Sequence, residues 1–195
     1  KEHFAFFNSF EEPFFGITAA IDCTVAYQKC KEKNRSFFLY YLHKSLVAAN
    51  RTEPFRYRIS GNRVFLYDEV HASATINRAD GTFGFSFMQY APDFSDFEIL
   101  AKKEIARVQG SKKLMPAVVA ENVIHYSSMP WINFTSISHA RSFSMPDSCP
   151  KITFGQMTTV GGKRSMPVDV HANHALMDGL HVSQFFDTFQ KLMNE

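Results

Sequence analysis

The sequence predicts an α+β protein with a mixed, largely antiparallel sheet packed on helices. Three observations carry that expectation. Many short runs have the residue density of strands, three longer segments carry helical periodicity, and the helices stand apart, interrupted by the strand runs. The composition is that of an ordinary globular chain: of 195 residues, 45% are apolar and 21% charged. That is too apolar and too weakly charged for intrinsic disorder. At roughly 150 residues per domain, and with no repeat, low-complexity tract or long linker, residues 1–195 read as a single domain.

Each element follows from local pattern. Residues 1–10 (KEHFAFFNSF) make one or two helical turns, broken by Pro13 and Gly16. Ile, Thr, Val and Tyr give 17–27 the density of a strand. From Asn34 a helix runs through SFFLYYLHKSLVAAN, with Phe38, Tyr41, Leu42 and Leu46 as its stripe, and ends before Pro54. Strands follow at 55–60, at 64–67 after the Gly61-Asn62 turn, and at 72–77. Asp80-Gly81 is a hairpin signal feeding 82–88. Pro92-Asp93 opens a second helix with Phe97, Leu100, Ile105 and Val108 on one face, and Gly110 stops it. Segments 118–126, 131–136, 151–160 and 166–171 read as strands, with Gly161-Gly162 as a turn. Residues 180–193 place Val182, Phe185, Phe186, Phe189 and Leu192 at helical spacing.

Several function classes fall away. No apolar run approaches the roughly 18–20 residues that cross a bilayer as a helix, so no membrane partner is expected. A net charge of +2 with no Lys/Arg stripe gives no footprint for nucleic acid. Three cysteines (Cys23, Cys30 and Cys149), without a CxxC pair, fit reduced thiols and a cytoplasmic location better than a disulfide framework. No secretory n-region and h-region open the chain, so the sequons at Asn34, Asn50 and Asn133 carry little. Phenylalanine is the unusual count, at 21 residues. Such rings fill a core and can still line a pocket.

The densest constellation is 168–181, VDVHANHALMDGLH. Alternation before it says strand and periodicity after it says helix, which puts His174 in the turn between, at the rim of a cleft. A neutral imidazole there can take a proton from a hydroxyl or thiol and return it. Asp178 falls at the helix start, where a carboxylate caps backbone N–H groups, and Gly179 permits a tight turn. Three other readings stand beside the catalytic one. The histidines can simply be satisfied in a turn. His171, His174, Asp178 and His181 are feasible metal ligands, but they converge only on a single helix, against which Val168, Val170 and Gly179 argue; HExxH is absent. A nucleophilic Cys149, flanked by Pro146 and Pro150, lacks an elbow motif, and no G-x-S-x-G occurs.

His174-Ala175-Leu176-Met177-Asp178-Gly179 resembles the H-x-x-x-D-G signature of coenzyme A-dependent acyltransferases. Extended through Leu180-His181-Val182, it is similar to the chloramphenicol O-acetyltransferases in particular. Lys1-Glu2-His3-Phe4, the 129–136 stretch MPWINFTS and the 150–155 stretch PKITFG match three further family segments, in order, over essentially the whole chain. The resemblance implies a two-layer α/β sandwich, a homotrimer with active sites between subunits, and acetyl-CoA as co-substrate, with no metal required. By residue it implies His174 as general base and Ser127 as oxyanion donor. Thr153 would hold the intermediate through a water, and Trp131 would contact the coenzyme. Phe7, Phe15 and Phe83 would line the acceptor pocket.

Asp178 matches an aspartate that supports the catalytic site through an arginine, whose position falls immediately before Lys1. Phe7, His125, Met157 and Asn173 replace residues common in the family, chiefly around the acceptor. The activity implied is acetyl transfer to a hydroxyl of chloramphenicol or a similar small molecule. Other readings are a related acyltransferase using dihydrolipoamide or an unidentified alcohol, and a trimeric binding protein without turnover.

Overall fold

The computed structural model describes residues 2–115, 118–142 and 147–195. Lys1 of the N-terminal match and Pro146 beside Cys149 lie outside the described residues. A short helix α1 (Glu2–Phe7) leads into β1 (Phe14–Asp22), which pairs antiparallel with β9 (Lys163–Asn173) along its whole length. Strands β4 (His71–Asn77), β5 (Phe83–Phe85), β6 (Val123–Ser128) and β7 (Lys151–Phe154) complete the order β1-β9-β7-β6-β4-β5. Strand β8 (Thr158–Val160) folds back on β9 as a hairpin through Gly161 and Gly162, both at positive φ. The β4–β6 and β6–β7 pairs are parallel and the others antiparallel, so the sheet is mixed, as the sequence predicts. A separate hairpin joins β2 (Tyr57–Ser60) and β3 (Arg63–Leu66).

Helices α2 (Thr24–Glu32), α3 (Phe37–Arg51), α4 (Phe94–Gln109) and α5 (Gly179–Met193) supply the other layer. Leu42 and Leu46 from α3, Phe97 from α4, and Phe185 and Phe189 from α5 are buried in one core with Ile152, Phe154, Val168 and Val170 of the strands. Because strand side chains alternate, burying Val168, Val170 and Ala172 against the helices turns Asp169, His171 and Asn173 to the opposite face. Register carries that face across the sheet. One row reads Ser127, Thr153, Asp169 and Thr18, and the next reads Ser73, His125, Lys151, His171 and Gly16. The helix-free face is therefore polar.

Some expected boundaries move. The strand expected at 17–27 stops at Asp22, whose carboxylate accepts from the Thr24 N–H at 2.8 Å and starts α2. The β-branched Thr24 and Val25 read as strand, yet the helix-favouring Ala26, Gln28, Lys29 and Lys31 decide the outcome. The segment 131–136 is irregular rather than a strand, and 118–126 becomes extended only from Val123. The run expected at 151–160 is two strands, β7 and β8, and the strand expected at 55–60 begins at Tyr57, after a 3-10 turn (Glu53–Arg56). Among the described residues no helix is long and apolar enough to cross a membrane.

Candidate active site

The end of β9 makes the first half of the site. Asn173 turns the chain: its side-chain oxygen accepts from Ala175 N–H at 2.9 Å and its carbonyl from Leu176 N–H at 3.0 Å. His174 N–H donates to the Pro13 carbonyl at 2.7 Å, continuing the β1–β9 ladder by one residue. The His174 Nδ1 lies 3.1 Å from the Met177 carbonyl oxygen. A carbonyl can only accept, so Nδ1 carries a hydrogen, and in the neutral ring Nε2 presents the lone pair. The ring is packed, not free: Phe7 stacks on it at 3.8 Å, Phe15 tilts against it at 4.5 Å, and His3 meets it edge-on at 5.4 Å. His3 Nε2 also donates to the His174 carbonyl. Sequence reasoning gave His3 no role, although His3 and Phe7 stand four apart on α1 and so share a face.

Asp178 is the N-cap of α5, as its position predicts. Its Oδ1 accepts from Leu180 N–H at 3.0 Å and His181 N–H at 3.3 Å, while its own N–H donates to His181 Nδ1 at 3.2 Å, closing a capping box. Burial pushes the Asp178 carboxyl up, but the His181 and Leu180 N–H groups that it accepts from hold it below its ordinary value. A carboxylate so engaged orients the turn that holds His174; it is not placed to relay protons.

Ser127 and Phe83 belong to a different place. Both line a cavity of about 460 Å³ walled by Phe85, Phe87, Met115, Val118 and Val119, with His125, His139 and Lys151 among its polar groups. His174 is not among the residues that line it. Among the described residues the Ser127 hydroxyl makes no hydrogen bond, which leaves it available as a donor. Thr153, fully buried, is directly opposite Ser127 on β7, with its Oγ1 3.4 Å from His139 Nε2. Burial, reinforced by Lys151, pushes the His125 imidazole down to about 4, so it is neutral at pH 7. Lys151 pairs with Asp147.

Trp131 follows β6 in a turn and is 59% exposed, a position open to a surface ligand. Beside it, Pro130, Ser128, Tyr41, Gly155 and Met157 line a second cavity of about 610 Å³. The structure thus gathers Phe7 and Phe15 on His174, and Ser127 with Phe83 and Thr153, but in two groups. Thr153 links Ser127 to Asp169 by register, and His174 lies five residues further along β9. Two strand spacings and five residues of rise separate Ser127 from His174 by about 19 Å in one chain. Within one chain the two side chains are not brought together.

A family model described as chloramphenicol acetyltransferase matches residues 1–190. The chain is 26% identical to a chloramphenicol acetyltransferase of Klebsiella sp, covering 100% of this chain and 90% of that protein. It is equally 26% identical to chloramphenicol acetyltransferase 3 of Escherichia coli, over 100% of this chain and 92% of the relative. A solved chloramphenicol acetyltransferase superposes with a TM-score of 0.90 at 30% identity, covering 99% of this chain and 94% of that one. A probable dihydrolipoamide acetyltransferase from Listeria monocytogenes 4b F2365 superposes with a TM-score of 0.69 at 11% identity, covering 98% and 88%. That second likeness is one of fold.

Proposed function

The chain belongs to the chloramphenicol acetyltransferase family, and from that membership we propose that it transfers the acetyl group of acetyl-CoA to a hydroxyl of chloramphenicol or a similar small molecule. The observation that carries the reading is the state of His174: Nδ1 is bound to the Met177 carbonyl, Nε2 is left basic, and aromatic rings fix the plane. Nε2 takes the proton of the acceptor hydroxyl as its oxygen attacks the thioester carbonyl. The Ser127 hydroxyl donates to the oxygen that becomes negative in the tetrahedral intermediate. Collapse breaks the carbon–sulfur bond, and the departing thiolate takes the proton back from His174. The products are the acetyl ester and free coenzyme A.

The separation of His174 from Ser127 supports a homotrimer in which the end of β9 from one copy faces the Ser127 cavity of the next. Phe7, Phe15 and Phe83 then surround an apolar acceptor. Thr153 holds the intermediate through a water, Trp131 contacts the coenzyme, and Asp178 sets the turn. The whole chain acts as one acetyltransferase domain, in the cytoplasm, where acetyl-CoA and reduced thiols belong. Thiol release from acetyl-CoA, followed with and without chloramphenicol, tests the activity. Release that requires chloramphenicol is expected. Release only with another alcohol or with dihydrolipoamide moves the acceptor, and silence with every acceptor despite coenzyme A binding supports a binding protein instead.

A further inference from the structure

The polar face of the sheet carries a second cluster that acetyl transfer does not use. Asp169 and His171 project from β9 on the face opposite Val168 and Val170, and His139 reaches them from the irregular segment after Trp131. One ring nitrogen of each histidine and one carboxylate oxygen of Asp169 lie within 4.8 Å of one another. The two imidazoles meet edge to face at 5.1 Å. Asp169 Oδ1 is 2.8 Å from His171 Nδ1, and its Oδ2 accepts from the Thr18 hydroxyl at 2.7 Å. Asp169 is only 2% exposed, and among the described residues its sole ion-pair partner is His171, with no lysine or arginine. A carboxylate taken so far out of water calls for compensating positive charge.

The sheet is also shaped for this cluster. Gly16 stands opposite His171 across the β1–β9 pair, and a Cβ there would lie 2.5–3.0 Å from the imidazole atoms. The ring rests in the space that glycine leaves.

We propose that His139, Asp169 and His171 bind one divalent transition-metal ion of the zinc type, clasping the segment that follows Trp131 to β9. Two imidazoles and a carboxylate are donors zinc accepts, whereas calcium and magnesium favour oxygen. Tetrahedral donors sit about 3.4 Å apart around zinc, so small side-chain rotations close the set. His139 itself lines the Ser127 cavity, so the clasp is continuous with that cavity's wall. The sequence alone offers His171, His174, Asp178 and His181 as feasible ligands. Alternation instead sends His171 to the sheet face with Asp169, away from the turn of His174. The inference goes beyond acetyl transfer and does not depend on it.

The full chain, stripped with chelator and titrated with Zn²⁺, should take up one ion per chain and unfold at a higher temperature. Co²⁺ should give the visible bands of a tetrahedral site. His139→Ala and His171→Ala should each abolish stoichiometric uptake and the thermal shift. Gly16→Ala, which removes no donor, should weaken uptake at least tenfold by displacing the His171 ring. If an alanine variant fails to fold, as judged by circular dichroism, His139→Asn or His171→Asn replaces it. Failure of the parent chain to bind one ion, or retention of one equivalent by either histidine variant, overturns the proposal.

Discussion

The chemistry at the residue scale turns on which nitrogen of His174 is free. His174 is half-buried and lies outside the main core, so removing the imidazole should remove the proposed base without opening that core. His174→Ala should lower turnover by about 10²–10⁴-fold or more, with little change in melting temperature; survival of activity would remove His174 from the role of base. Ser127→Ala should cost about 10²–10³ in kcat and leave KM nearly unchanged, since its donor acts on charge that exists only in the transition state. Steady-state kinetics separate the two constants. His174 and Asp178 were legible in sequence because strand, turn and helix start all fall within eleven residues. His3 and His139 were not: His3 meets a partner 171 positions away, and His139 rests on a segment whose path no periodicity reveals.

Elements decide how firmly those residues are held. The β9–turn–α5 unit is built from local rules, a two-residue alternation, an Asx-type turn at Asn173 and a capping box at Asp178. Asp178→Ala should cost about 1 kcal/mol of stability by uncapping α5. Thermal unfolding reads that loss, and turnover should fall far less than in His174→Ala. An equal collapse of turnover at unchanged stability would make Asp178 a direct participant. The longer amphipathic helices, α3, α4 and α5, were legible for the same reason: their apolar stripes are decided by one buried face. Helix α2 was not, because Thr24 and Val25 carry strand propensity and the stop comes from the Asp22 side chain. The segment 131–136 carries apolar residues that suggest a strand, yet Trp131 and Ile132 stay exposed and the segment is irregular.

For the whole molecule, the mixed order of the sheet brings a polar face together from five separate strands, a feature no single run of sequence displays. His125 on that face is held down to about 4, against an ordinary value near 6.5. The unfolded chain therefore binds the extra proton first, and stability should fall as pH drops from about 6.5 towards 4. His125→Asn should flatten that part of the profile of melting temperature against pH; an unchanged slope would place the acid sensitivity elsewhere. On the same face, register places His174 and Ser127 about 19 Å apart within one chain. The proposed acetyl transfer therefore calls for a site completed between copies. Ser127→Ala and His174→Ala chains, each nearly inactive, should be unfolded together in equal amounts, refolded, and assayed for chloramphenicol-dependent thiol release. In every mixed trimer one interface unites an intact His174 with an intact Ser127, so random assembly predicts about a quarter of the parent activity. A mixture no more active than its two components would contradict a shared site.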